Sequence, residues 1–202
     1  MSAELEVTVI ADLMAASGVG FGTSGARGLA DAMTDRVCFL YTQGFLQYVE
    51  KTGAIRRGDA VALAGDFRPS TPRIMAAAAA AIADLGYRPL NCGNIPSPAL
   101  AGYAIGNGMA SLMVTGSHIP DDRNGIKFNL PAGEVLKRDE AGIRMQEVRA
   151  TRELFDGTGR FVRPVGLPLE DPAAYRCYVA RYLDAFPAQC LSGSRVLVYE
   201  HS

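Results

Sequence analysis

The sequence has no tryptophan and only two histidines, His118 and His201. A zinc site assembled from imidazole and thiolate is therefore not expected. Its four cysteines, Cys38, Cys92, Cys177 and Cys190, form no Cys-x-x-Cys pair. That spacing gives no metal knuckle and no disulfide framework, and reduced, mostly buried thiols in a cytoplasmic protein are expected. An excess of one charge is also missing, since 20 Lys and Arg face 21 Asp and Glu. Neither nucleic acid nor an anionic membrane would find a footprint on such a surface. No apolar run approaches the ~20 residues of a membrane span. Acids at Glu4 and Glu6 stand where a signal peptide would be basic. No internal repeat and no Gly-x-Ser-x-Gly elbow occurs.

What is present is organised around Ser111 to Phe128. Leu112 to Val114 has the look of a buried strand. Thr115-Gly116-Ser117-His118 then breaks it with small polar residues, at the carboxyl end where open α/β sheets hold ligands. Asn124-Gly125 signals a tight turn, and Ile126 to Phe128 reads as a second strand interrupted by Lys127. One hydroxyl, one imidazole and one returning ammonium are an unusual set for a connection, although a polar hairpin between two core strands would explain the residues equally well.

The 202 residues exceed one average domain of about 150, and a chain of that size buries ~70% of its unfolded surface. Residues 4–16 fit a strand or a short helix. Gly20, Gly22, Gly25 and Gly28 follow, in a loop suited to an anion nest through positive φ or close approach, with Arg27 as a phosphate fork. Thr34 caps a helix ended by Gly53. Ala60–Ala64 is a strand, and Ser70 caps a helix with Pro72 in its first turn and six alanines, Ala76 to Ala81. Tyr87–Cys92 is a strand, and Ser97-Pro98 opens a helix to Gly106. After Phe128 come a hairpin at Pro131-Ala132-Gly133 and a helix 140–154 with Asp139 at its start. Residues 156–172 are rich in Gly and Pro. A helix then presents Tyr175, Tyr178, Val179, Tyr182, Leu183 and Phe186 to a core, and Arg195–Tyr199 is a strand. The alternation predicts an α/β fold: a mixed, largely parallel sheet with helices on both faces over residues 1–155. Residues 156–202 form a linker and an incomplete second α/β domain. Arg56, Arg57, Arg144 and Arg149 read as solvated surface.

Four segments carry a resemblance. Phe21-Gly22-Thr23-Ser24-Gly25-Ala26-Arg27-Gly28, Gly65-Asp66-Phe67-Arg68-Pro69-Ser70, Thr115-Gly116-Ser117-His118-Ile119-Pro120 and Asn124-Gly125-Ile126-Lys127 together resemble the α-D-phosphohexomutases. The Ser-His-Ile-Pro variant and the closing Val198-Tyr199-Glu200-His201-Ser202 look most like the phosphomannomutase branch. The resemblance covers about residues 17–202, the first domain and the start of the second. It implies that Ser117 carries a phosphoryl group passed to a hexose monophosphate, mannose or glucose, through a bisphosphorylated sugar. It implies Lys127 as general acid/base, a role for His118 beside the serine, and Thr23, Ser24, Gly25 and Arg27 as phosphate- and sugar-positioning residues. Arg68 and Asn124 would support the loop, and Mg²⁺ would sit on the phosphoserine. Position 119 is Ile where the family more usually has Asn. The family's Asp-Gly-Asp-Gly-Asp-Arg metal loop and its later sugar- and phosphate-binding loops do not occur, so the chain alone is expected to be inactive as a mutase. Self-association is left open.

Two other readings compete. One is a non-catalytic binding or assembly module that keeps the loop. The other is a serine hydrolase using Ser117 and His118, which ranks low because neighbours on an extended chain point to opposite sides.

Overall fold

Short apolar runs alternate with longer amphipathic ones, and the computed structural model of the chain, which describes residues 5–22 and 25–199, turns them into strands and helices in that order. Thr23 and Ser24, both expected at the site, lie outside the described residues, as does His201. The elements are β1 (Leu5–Val9), α1 (Ile10–Ser17), β2 (Gly20–Phe21), β3 (Gly25–Leu29), α2 (Asp35–Lys51), β4 (Ala60–Gly65), α3 (Thr71–Asp84), β5 (Arg88–Asn94) and α4 (Ser97–Gly106). They continue with β6 (Ser111–Val114), β7 (Arg123–Leu130), β8 (Gly133–Glu134), α5 (Lys137–Arg144), β9 (Glu147–Thr151), a 3₁₀ turn (Arg152–Leu154) and α6 (Ala173–Ala185).

The main sheet runs β2-β3-β7-β6-β4-β5, with β8 added to β7. It is mixed. The strand–helix–strand units give its parallel part, β5-β4-β6, and β7, β3, β2 and β8 extend it in antiparallel fashion. Helices cover both faces. Val61, Leu63, Leu112, Val114, Ile126 and Phe128 bury one face against α2 and α3. The Phe128 ring stacks on Phe45 with centroids 4.7 Å apart. Ala77, Ala78, Ala79 and Ala81 of α3 are buried in that layer, where small side chains let the helix come close. On the other face Ala62, Ala64, Cys92 and Met113 meet α4, and α6 adds Ala174 and Tyr178.

Several local expectations hold. The Thr34 hydroxyl caps α2 by accepting the Val37 N–H at 3.3 Å. Gly53 and Gly86 take positive φ just past their helices. Others are corrected. Residues 5–17 are both a strand and a helix. Asn124-Gly125 is no turn: both residues lie inside β7, paired with Gly28 and Arg27 of β3. The helix expected over 140–154 ends at Arg144, and β9 follows it, because Val148 and Ala150 face inward while Glu147 and Arg149 face out. That alternation has period two, and β1 supplies the partner from the far end of the chain. Asp139 lies inside α5 and accepts the Leu136 N–H at 2.8 Å. The strand expected at 195–199 is absent among the described residues, for no neighbouring strand offers it a ladder. Of the six apolar residues expected to face a core here, Tyr178 reaches it, while Tyr175, Val179, Tyr182, Leu183 and Phe186 are exposed. Cys38 and Cys92 are buried, Cys177 and Cys190 exposed. Burial pushes the Cys38 thiol up to about 12 and the Cys92 thiol up to about 11.

Candidate active site at the end of β6

Where β6 runs out of sheet, the Thr115 N–H donates to the Gly125 carbonyl at 2.9 Å and the chain leaves the layer. The Ser117 N–H then turns back to the Thr115 hydroxyl at 2.9 Å. This turn puts Ser117 at φ 54, a left-handed conformation that costs a non-glycine residue on the order of 1–3 kcal/mol. Something else must hold it there. Ser117 and His118 are exposed, and Ser117 Oγ lies 3.3 Å from His118 Nδ1.

Arg68 supplies much of the hold. Its side chain is only 8% exposed and lies under the loop. Nη1 donates to the carbonyls of Pro120 at 2.7 Å and Arg123 at 3.2 Å, and Nη2 to those of Ile119 at 2.6 Å and Ser117 at 3.3 Å. The guanidinium also pairs with Asp66 at 3.3 Å and Asp121 at 3.2 Å. Gly116 makes room for it, since a Cβ there would come within 2.2 Å of the Arg68 guanidinium carbon. Asn124, fully buried in β7, donates to the Ser70 and Thr71 hydroxyls at 2.8 and 3.0 Å. Ser70, read as a helix cap, makes no capping bond and serves as this acceptor instead. Asp66 was not singled out from the sequence, although it sits inside the Gly-Asp-Phe-Arg segment. Burial pushes its carboxyl up, but hydrogen bonds from Thr71, the Arg68 and Gly116 N–H groups and Thr115 outweigh that and hold it below the usual carboxylate range.

Two cations stand beside the loop. Gly25 pairs with Lys127 and Arg27 with Gly125 across β3 and β7. Opposed residues share a face, so Arg27 and Lys127 are diagonal neighbours on one face, and each is opposed by a glycine. With Thr115 they line a narrow cleft. Lys127 also borders a cavity of about 370 Å³ with Ser97, Met113, Asn129 and Glu134. Among the described residues of the glycine-rich segment, none of Gly20, Gly22 and Gly28 takes a positive φ. Gly25 is instead required by contact, for its Cβ would lie 2.0 Å from the Ile126 carbonyl oxygen.

Among the described residues, no three His, Cys, Asp or Glu side chains converge on one point. Ser117 brings one oxygen, and the Asp121 carboxylate is paired with Arg68. These residues do not by themselves fit a Mg²⁺ site.

Residues 18–152 match the family model described as phosphoglucomutase/phosphomannomutase, alpha/beta/alpha domain I. The chain belongs to the phosphoglucomutase/phosphomannomutase family. This family member is 41% identical over 187 residues to a phosphomannomutase of Sinorhizobium fredii, covering 92% of the chain and 38% of that protein. It is 40% identical over 192 residues to a phosphomannomutase of Salmonella muenchen, covering 95% of the chain and 37% of the relative. The chain thus spans well under half the length of these curated relatives. A phosphoglucomutase/phosphomannomutase family protein from Burkholderia thailandensis superimposes with a TM-score of 0.52 at 27% identity, over 60% of this chain and 28% of that one. A putative phosphomannomutase from Thermus thermophilus shares the fold, with a TM-score of 0.64 at 20% identity, over 87% of this chain and 38% of its own. No helix among the described residues is long and apolar enough to cross a membrane.

Proposed function

We propose that this family member carries the phosphoserine of a mutase interconverting hexose 6-phosphate and hexose 1-phosphate, with mannose or glucose as the sugar. The reading rests on one arrangement: an exposed Ser117 held in a left-handed turn, on a loop next to the Arg27–Lys127 cleft. In the forward half-reaction the Oγ–P bond of phosphorylated Ser117 breaks and a bond forms from a sugar hydroxyl oxygen to phosphorus. The hydroxyl proton passes to Lys127 in its neutral form, the departing Ser117 Oγ takes a proton from the imidazolium of His118, whose Nδ1 lies 3.3 Å away, and the hexose becomes a bisphosphate. In the reverse sense the other phosphate returns to Ser117 Oγ, the serine proton passes to His118, and the ammonium of Lys127 protonates the leaving sugar oxygen. Positioned acid–base groups contribute typically 10²–10⁴-fold. Arg27 forks the reacting phosphate. Arg68 and Asn124 hold the loop, and Gly25 borders the phosphate, while Thr23 and Ser24, given the same role by the sequence motif, lie outside the described residues. Mg²⁺ on the phosphate of Ser117 would offset its roughly −1.5 to −2 charge, although among the described residues no cluster of carboxylates completes its shell.

We place the phosphoserine domain in residues 1–155 and the linker and start of a second domain in 156–202, in a cytoplasmic protein. The support is that residues 156–172 contain no helix and no strand of the main sheet. Incubation with hexose 1,6-bisphosphate and Mg²⁺, read by intact and peptide mass, is expected to add one phosphoryl group at Ser117, and Ser117→Ala to take up none. Lys127→Ala should slow uptake by about 10²-fold or more with little change in sugar-phosphate affinity. Label at another residue, or undiminished label in Ser117→Ala, overturns the proposal. Absence of any uptake by the unaltered chain favours a binding module.

A further inference from the structure

The energetic problem posed by Ser117 is a strained turn on an exposed loop. Arg68 addresses the carbonyls of that loop, and a second group addresses its amide side. The Asp66 carboxylate lies at the carboxyl end of β4, where the Asp66 N–H itself continues the sheet by donating to the Val114 carbonyl at 3.0 Å. Its Oδ2 accepts the Gly116 N–H at 3.0 Å. Its Oδ1 accepts the Thr71 hydroxyl at 2.6 Å and the Arg68 N–H at 3.1 Å. Thr71 is fully buried at the start of α3 and also accepts from Asn124. One carboxylate therefore ties together the end of β4, the start of α3 and the residue immediately before Ser117.

We propose that Asp66 is the positioning residue that sets the backbone conformation of Ser117 and thereby aims its Oγ for phosphoryl transfer. It acts through Gly116 and touches neither substrate nor the reacting oxygen. The geometry fits this role better than simple support. Gly116 is buried, so its N–H has no water to fall back on, and a buried donor left unpaired is costly. Tethering that N–H to a fixed acceptor fixes the direction in which the chain enters Ser117. The Ser117 N–H, one residue on, is then aimed at the Thr115 hydroxyl. Arg68 cannot do this, because it bonds only carbonyls and carboxylates here. The role rests on the proposed phosphoserine chemistry for its consequence, but its structural part can be read without it.

The test is Asp66→Asn, which keeps the shape but replaces one acceptor oxygen with a donor. The Gly116 amide resonance is expected to shift, and the Ser117 HN–Hα coupling, which reports φ, to leave its left-handed value. Resonances of α2 and β5 should hold. Phosphoryl uptake from hexose 1,6-bisphosphate should fall about 10²-fold, the cost of a small misplacement of reacting groups, with sugar-phosphate affinity little changed. An unchanged Ser117 coupling together with uptake within about twofold of the unaltered chain overturns the inference. If the unaltered chain takes up no phosphoryl group, the mutase reading fails, and the coupling alone decides the role of Asp66. Should Asp66→Asn not fold, amide exchange in the unaltered chain decides. Protection of the Gly116 N–H well above that of Leu197 supports the tether, and equal exchange overturns it.

Discussion

The Thr115–Asp122 loop and the stretch from Pro187 to Tyr199 are both irregular and both rich in exposed side chains, yet they are held in opposite ways. In the first, Arg68 and Asp66 bond the main chain from beneath. In the second, the main-chain bonds of Cys190, Ser192 and Ser194 run to carbonyls of the same short stretch, and Leu197 is 92% exposed. Exposure of side chains and fixation of the backbone are therefore separate properties. A loop can present a hydroxyl to solvent and still have its turns dictated by buried polar groups from a distant part of the chain. That combination suits a group that must meet a ligand in one orientation.

Substitutions can break this contrast. The largest effect is expected from Arg68→Ala, which leaves four carbonyls and a partly buried Asp66 without their cation. Because the pair is only partly buried, the cost should be up to about 3 kcal/mol, the lower end for a buried pair, measurable as a fall in the urea midpoint. Asn124→Ala should cost about 1–3 kcal/mol, because the Ser70 and Thr71 hydroxyls lose their donor inside the protein.

Acidification gives a smaller effect of defined sign. The Asp66 carboxyl is held below its ordinary value of about 3.9. Its contribution is therefore complete above that value and is lost as pH falls through the lower folded-state value. The urea midpoint of the unaltered chain should drop more between about pH 5 and pH 3 than that of Asp66→Asn; equal drops would remove Asp66 as the titrating group. Smallest of all, Leu197→Ala should change stability by no more than about 0.5 kcal/mol. A larger loss would show that the two regions are less different than their contacts indicate.

Much of this arrangement was legible in the sequence, for reasons that differ by element. The Thr34 cap, Gly53 and Gly86 are local signals, and local signals hold where the neighbouring residues alone decide the backbone. The strands β4 and β6 were legible as unbroken apolar runs because both of their faces are buried. Asn124-Gly125 misled because its turn preference was overridden by its ladder with β3, by the bond from the Thr115 N–H and by the hydroxyls of Ser70 and Thr71. Residues 147–151 misled because the strand that stabilises them is Leu5–Val9, the whole length of the domain away. Arg195–Tyr199 misled for the complementary reason: the residues suit a strand, but among the described residues no strand pairs with them. At the site, Ser117, Lys127 and Arg27 were visible as chemistry-bearing residues. The cleft was not, because it depends on the register that sets Gly25 opposite Lys127.

That misread Asn-Gly pair has one more consequence, for the ageing of the polypeptide. Asparagine followed by glycine is open to ring closure, in which the next backbone nitrogen attacks the side-chain amide carbon and ammonia leaves. Here the Asn124 amide nitrogen is held by two hydroxyls and the residue is paired with Gly28 in the ladder of β3, so that turning the side chain for ring closure breaks these bonds. Deamidation at this point should thus record time spent unfolded, so that the mass of stored protein keeps a history of its excursions from the native state.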